Sequence, residues 1–146
     1  TKDTVDKANQ LLDDFSKMLV SGHPINPGFE LVKYSQGSVR HRHYPPDIKT
    51  NAEMTPQELA QIYLVGQAAA LVSATEVISK SSEAKYKEAQ SKRVEIAKSA
   101  LGGVSEAAGL LAAPTRENAI KFVQSIAGKD LTSAVGSKLP AKSDYK

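Results

Sequence analysis

Between Pro56 and Leu101 there is no second proline and only one glycine, Gly66. That stretch constrains the fold more than any other part of the chain, because little in it can break a helix. It opens with "TPQEL". Thr55 fits the N-cap, Pro56 the first helical position and Glu58 the reciprocal position of a capping box. Leu59, Ile62, Val65, Ala69 and Val72 recur at helical spacing, and so do Tyr63, Ala70 and Val77. Two apolar faces predict a central helix with much of its surface buried. Gly66, Ala69 and Ala70 are small enough to admit another backbone at close range. "SKSSEAK", residues 79–85, is a boundary with Ser81 or Ser82 as the next N-cap; an uninterrupted helix to Leu101 is the alternative. Beyond it Tyr86, Ala89, Ile96, Ala97 and Ala100 share one side, and Gly102-Gly103 is a stop.

The remaining helical signals are shorter. A helix near 104–113 ends at Pro114. Thr115 caps "RENAIKFVQSIAG", with Ile120, Val123 and Ile126 expected inward and Gly128 as terminator. A last short helix near 129–138 precedes Pro140 and the polar "AKSDYK". At the other end, residues 4–20 read as an amphipathic helix, capped by Thr1, Asp3 or Thr4 and ended by "SGHPINPG". Val5, Ala8, Leu11, Leu12, Phe15, Met18 and Leu19 form its seven-residue apolar stripe, which needs a cover such as a neighbouring molecule. The expected fold is all-α: an N-terminal helix and extended basic arm over 1–54, a four- to five-helix bundle over 55–139, and a polar tail over 140–146.

Composition narrows what such a protein can hold. Aromatic residues are 5% of the chain and Trp is absent, so the core must come largely from Ala, Val, Leu and Ile. That favours close helix packing over a large apolar ligand pocket. The absence of Cys excludes disulfides and thiolate metal sites. No uninterrupted apolar run approaches the ~20 residues of a membrane span, and none is expected. "TKDTVDKANQ" is too polar for a signal peptide, and a start at Thr1 rather than Met reads as a processed or trimmed chain.

One segment departs from the Ala/Ser/Lys/Glu-rich background: "YSQGSVRHRHYPPDIKT", residues 34–50. Residues 29–50 are expected to be extended, with "FELVKYS" as a short strand broken by Gly37. Tyr44-Pro45-Pro46 favours polyproline II geometry. Residues 33–49 hold Lys33, Arg40, Arg42 and Lys49 against Asp47, which leaves fifteen bases and fifteen acids elsewhere. The whole formal excess of +3 therefore lies here. In an extended chain Arg40, Arg42 and Tyr44 share one face. Two guanidinium forks can chelate phosphates, and a tyrosine can stack or donate its hydroxyl. His41 and His43 face the other way with Val39 and add charge below pH ~6.5. The candidate nucleic-acid contacts are Lys33, Arg40, His41, Arg42, His43, Tyr44 and Lys49. The competing reading is a solvated loop whose charge is incidental.

Other chemistry is poorly supported. His41-x-His43 can supply two metal ligands, but only Asp47 is near and His23 is far back in the chain, so no metal is expected. Lys80, Lys85, Lys87, Lys92, Arg93 and Lys98 are interleaved with Glu83, Glu88 and Glu95. Glu83–Lys87 and Glu88–Lys92 fit i,i+4 pairing, which reads as a solvated, self-paired helix face. No GxSxG, phosphate loop or nucleophile–base arrangement is present, so neither an enzyme nor a cofactor is expected.

The order of parts resembles the coat proteins of filamentous archaeal viruses, the rudiviruses, lipothrixviruses and tristromaviruses, across the whole chain but as architecture alone. Those proteins are small, Cys-poor and helical, with an N-terminal arm that wraps double-stranded DNA and a compact helical domain. The resemblance implies a virion coat subunit in a helical filament around DNA in A form, associating with itself or with a homologous coat subunit. It also places Lys33, Arg40, Arg42 and Lys49 where the family puts phosphate contacts. The acidic "LLDDF" in the first helix departs from the pattern. The alternative expectation is a cytoplasmic helical protein–protein interaction module, such as an adaptor or phage accessory protein, that binds no nucleic acid.

Overall fold

Thr55 starts the main helix as its sequence predicts. In the computed structural model, which describes Gln10, residues 26–37 and residues 53–146, Thr55 Oγ1 accepts from Glu58 N at 3.2 Å. Glu58 Oε2 accepts from Thr55 N at 2.7 Å, which closes the capping box. The described residues form six α-helices and no strand, so the fold is all-α. They are α1 (Leu31–Ser35), α2 (Pro56–Lys80), α3 (Ala84–Leu101), α4 (Ala108–Ala112), α5 (Arg116–Ile126) and α6 (Thr132–Val135). Short 3₁₀ turns occupy Ser105–Ala107, Gly136–Lys138 and Lys142–Asp144.

The chain folds back after α2 through residues 81–83, and α2 packs chiefly on α3. The core draws on almost every element. Leu64, Leu71, Leu101, Leu110, Ile126, Val32 and Val135 are its largest fully buried side chains. The helix α2 is long and apolar enough, by length and composition, to cross a membrane. Yet Ala60, Tyr63, Leu64, Ala68, Leu71 and Val72 are buried in this core, as in the central helix of a packed domain.

Several expectations need correction. The buried face of α2 is Ala60, Tyr63, Leu64, Gln67, Ala68, Leu71, Val72 and Ala74, so of the two expected lines only Tyr63 and Val72 belong to it. Leu59, Ile62, Val65 and Ala70 pack at its margin, and Ala69 is exposed. The helix is apolar on both sides, so packing against α3 rather than spacing selects the face. In α5 the inward residues are Phe122 and Ile126, while Ile120 is 58% exposed. In α3 Ile96 is exposed and Gln90 buried. Neither Ser81 nor Ser82 caps α3. Glu83 takes that position, and buried Ser81 ends α2, its Oγ accepting from Glu83 N at 3.2 Å.

In "FELVKYS" residues 31–35 are helix, not strand. Glu30 is the N-cap of α1, and its carboxylate accepts from Val32 N at 2.9 Å and Lys33 N at 2.8 Å. Val32 is wholly buried, and α1 packs on α2. The alternation that suggested a strand fits one helical turn equally well, and the cap with Val32 burial decides between them.

Side chains from distant elements satisfy helix ends. Gln61 Nε2 donates to Ile126 O at 2.6 Å and Lys129 O at 2.8 Å, closing the C-terminus of α5. Lys138 Nζ does the same for α3, donating to Ser99 O at 3.0 Å and Ala100 O at 3.1 Å. Gly128, at φ 73°, terminates α5 in the left-handed region, as expected of it.

Gly66 marks a close crossing, and its partner is α1. A Cβ at Gly66 would lie 3.1 Å from Leu31 Cβ. Gly66→Leu is expected to overpack this contact and destabilise the fold by about 1–3 kcal/mol. Chemical denaturation of the two proteins checks this, and an unchanged or higher midpoint would remove the crossing from the account.

Candidate polyanion-contact region

Of the seven candidate contacts, only Lys33 lies among the described residues. Arg40, His41, Arg42, His43, Tyr44 and Lys49 lie outside them. Lys33 sits in α1, half-buried, on a helix fixed from several sides. Phe29 and Tyr34 stack with ring centres 4.9 Å apart, and Asn26 Nδ2 donates to Tyr34 Oη at 2.9 Å. Ser35 and Gln36 are buried beneath. The backbone that leads into the basic segment is thus anchored in the core.

The flank on the other side of that segment, Glu53 and Met54, leads directly into the Thr55 cap. Gln36 and Glu53 line one crevice of about 160 Å³ together with Met54, Pro56, Leu59, Lys142 and Tyr145. The C-terminal residues, which read from sequence as a bare polar tail, therefore meet both flanks. Sequence reasoning missed Tyr145 and Lys142 here; a lone aromatic in a polar tail was the available signal.

Elsewhere part of the surface charge is paired. Arg116 forms a two-pronged pair with Glu76, Nε to Oε1 and Nη2 to Oε2, both 2.9 Å. Lys121–Glu117 and Lys142–Glu53 close at 2.7 Å. Of the two pairs expected on α3, Glu88–Lys92 forms at 3.2 Å. Glu83 and Lys87 meet only through the backbone, Lys87 N donating to Glu83 O at 3.0 Å. Arg93 turns instead to Gln90, donating to Oε1 at 3.0 Å. Arg116 and Lys121 hold the carboxyls of Glu76 and Glu117 below the ordinary range. Burial, with the charge of Glu30, raises the Tyr63 phenol. Among the described residues no cluster of three or more His, Asp or Glu side chains could hold a metal ion.

Glu106 is the most perturbed of these acids. Lys129 Nζ donates to Oε1 at 2.7 Å, its own backbone N–H contributes, and Ser105 Oγ donates to Oε2 at 2.9 Å. Together they lower its pKa from 4.5 to about 2. A depressed folded-state pKa adds stability that is complete above the unfolded value and fades as pH falls through the folded one. The gap in melting temperature between wild type and Glu106→Gln should hold steady from neutral pH to roughly pH 5 and close toward pH 2. Thermal melts across that range check this; a gap unchanged at pH 2 would contradict it.

A different surface is apolar. Ala69, Val72 and Ser73 of α2 and Ala119 and Ile120 of α5 line an open groove of about 380 Å³, with the Glu76–Arg116 pair also on its wall. Its α2 wall continues along the helix from Gly66, where Leu31 crosses. No protein-family model, curated protein or solved structure matches the chain.

Proposed function

We propose that this chain is a structural nucleic-acid-packaging protein, a coat subunit that assembles into a filament and holds the phosphate backbone without reading bases. One observation carries the reading: the entire formal charge excess lies within residues 33–49, beside a body of equal acids and bases. In this reading residues 1–54 are an N-terminal helix and a basic arm that includes the short helix α1, and residues 55–139 a helical bundle. Lys33, Arg40, Arg42 and Lys49 meet phosphates, His41 and His43 add charge at low pH, and Tyr44 stacks or donates its hydroxyl. The ion pairs on the helical body fit it, because they balance part of the charge outside residues 33–49. The resemblance to filamentous archaeal virus coats adds double-stranded DNA as the favoured ligand, a second copy or homologous subunit as partner, and the virion as location. No catalytic step, cofactor or membrane span is part of it.

The experiment is a binding titration of the purified protein on two unrelated DNA duplexes at several salt concentrations. Similar affinities that fall steeply with salt are expected. Absence of affinity at low salt would overturn the reading. It would favour the second one, a helical protein–protein interaction module, which has its own support in the open groove and the exposed Ile120.

A further inference from the structure

The start of α1 is built so that one aromatic ring stays open. Glu30 is the N-cap, so Phe29 stands just before the helix and Tyr34 one turn into it. These are the two positions of a hydrophobic staple, and their rings stack with the planes 29° apart. A turn fixes Phe29 from the other side. Gly28 N donates to Asn26 Oδ1 at 3.0 Å, and Phe29 N to Asn26 O at 3.4 Å. Asn26 also holds the Tyr34 hydroxyl, so three residues set the orientation of the stack. A staple needs only one face of the Phe29 ring. Phe29 remains 51% exposed, and no other aromatic residue among the described ones is exposed.

Lys33 lies four positions on, in α1, and among the described residues no carboxylate pairs with its ammonium. It opens the stretch 33–49 that carries the formal charge excess of +3. We infer that the open face of Phe29 is a stacking site for an unpaired nucleic-acid base, so that the chain takes single strands. Every base has a π-face, and stacking on an aromatic side chain therefore tolerates any sequence. The Tyr34 stack and the Asn26 turn hold the ring in place beforehand, which lowers the ordering cost of binding. Lys33 supplies positive charge for an adjoining phosphate. The Glu30 carboxylate already occupies the Val32 and Lys33 amides, so a phosphate finds no open donor pair at this end of α1. The ring is left for an uncharged base. This inference rests on the proposed phosphate-binding role of Lys33 and adds an unpaired base to a ligand so far taken as duplex.

The test sets an unstructured single-stranded DNA against an abasic strand of the same length, which has the same charge and no bases. Full-length wild type should prefer the strand with bases by about tenfold. Phe29→Leu keeps an apolar staple residue and loses the π-face. It should bind the two strands alike, with a melting temperature close to that of wild type and an unchanged slope of log K on log salt. Phe29→Trp should keep the preference. It would also carry the sole tryptophan of the chain, whose fluorescence should be quenched by the strand with bases and not by the abasic one. That signal decides the matter if Phe29→Leu fails to fold. Equal wild-type affinities for the two strands, a preference that survives Phe29→Leu, or an unquenched tryptophan would overturn the stacking site. Duplex affinity with no preference for bases would overturn this inference and leave the packaging reading standing. A Phe29-dependent preference without duplex affinity would do the reverse, and a chain that binds no nucleic acid at low salt would overturn both.

Discussion

Replacing Arg40 and Arg42 together with Ala is expected to weaken binding to unrelated nucleic-acid sequences by a similar factor. It should also flatten the plot of log K against log salt by about two units, roughly one per lost phosphate contact. Both effects follow from a contact that neutralises phosphates and releases counterions without reading base edges. Arg→Lys at both positions should restore part of the charge effect but not the bidentate geometry. Replacing His41 and His43 should matter less at pH 8, well above the ordinary imidazole pKa of ~6.5. A salt titration on two unrelated sequences separates these outcomes. An unchanged slope in the double mutant would make the charge of "RHRHY" incidental.

Removal of residues 1–21 should abolish assembly and leave a folded helical core. The segment carries seven apolar residues at helical spacing. Gln10, which falls off that stripe, has helical backbone and an exposed side chain. Pro24, Pro27 and Gly28 separate the stripe from α1. An uncovered stripe of that size is rare in monomers, so covering it against another copy is the expected role. The core from Val32 to Val135 draws its buried residues from α1 to α6, which is why the remainder should keep its helical signal and a cooperative melt. Sedimentation of the truncated and full-length proteins measures the effect. A truncated chain that assembles as the full-length one does would place the assembly surface elsewhere.

Helix existence was legible in the sequence wherever local chemistry fixes it. The Thr55-Pro56-Glu58 start, the Gly102-Gly103 stop and the Thr115 cap all form as read, because each depends on residues within one turn. Helix faces were less legible. Leu59 and Ala60, or Ile120 and Phe122, are equally plausible inward residues until the neighbouring helix is known. α1 was hidden for a related reason: five residues cannot show a period, and Val32 burial against α2 is a tertiary fact. The tail was hidden more completely, since "AKSDYK" is polar and its contacts reach residues roughly ninety to over a hundred positions away. For the candidate region, the charge excess was visible in composition alone, whereas the anchoring of its flanks by Glu30, Gln36 and Tyr145 required the fold.

The most direct test of the packaging account is electron microscopy of the purified protein mixed with duplex DNA, followed by nuclease treatment. The account predicts regular filaments whose DNA is protected from the nuclease. Nucleic-acid-free monomers, with the DNA fully digested, would contradict it.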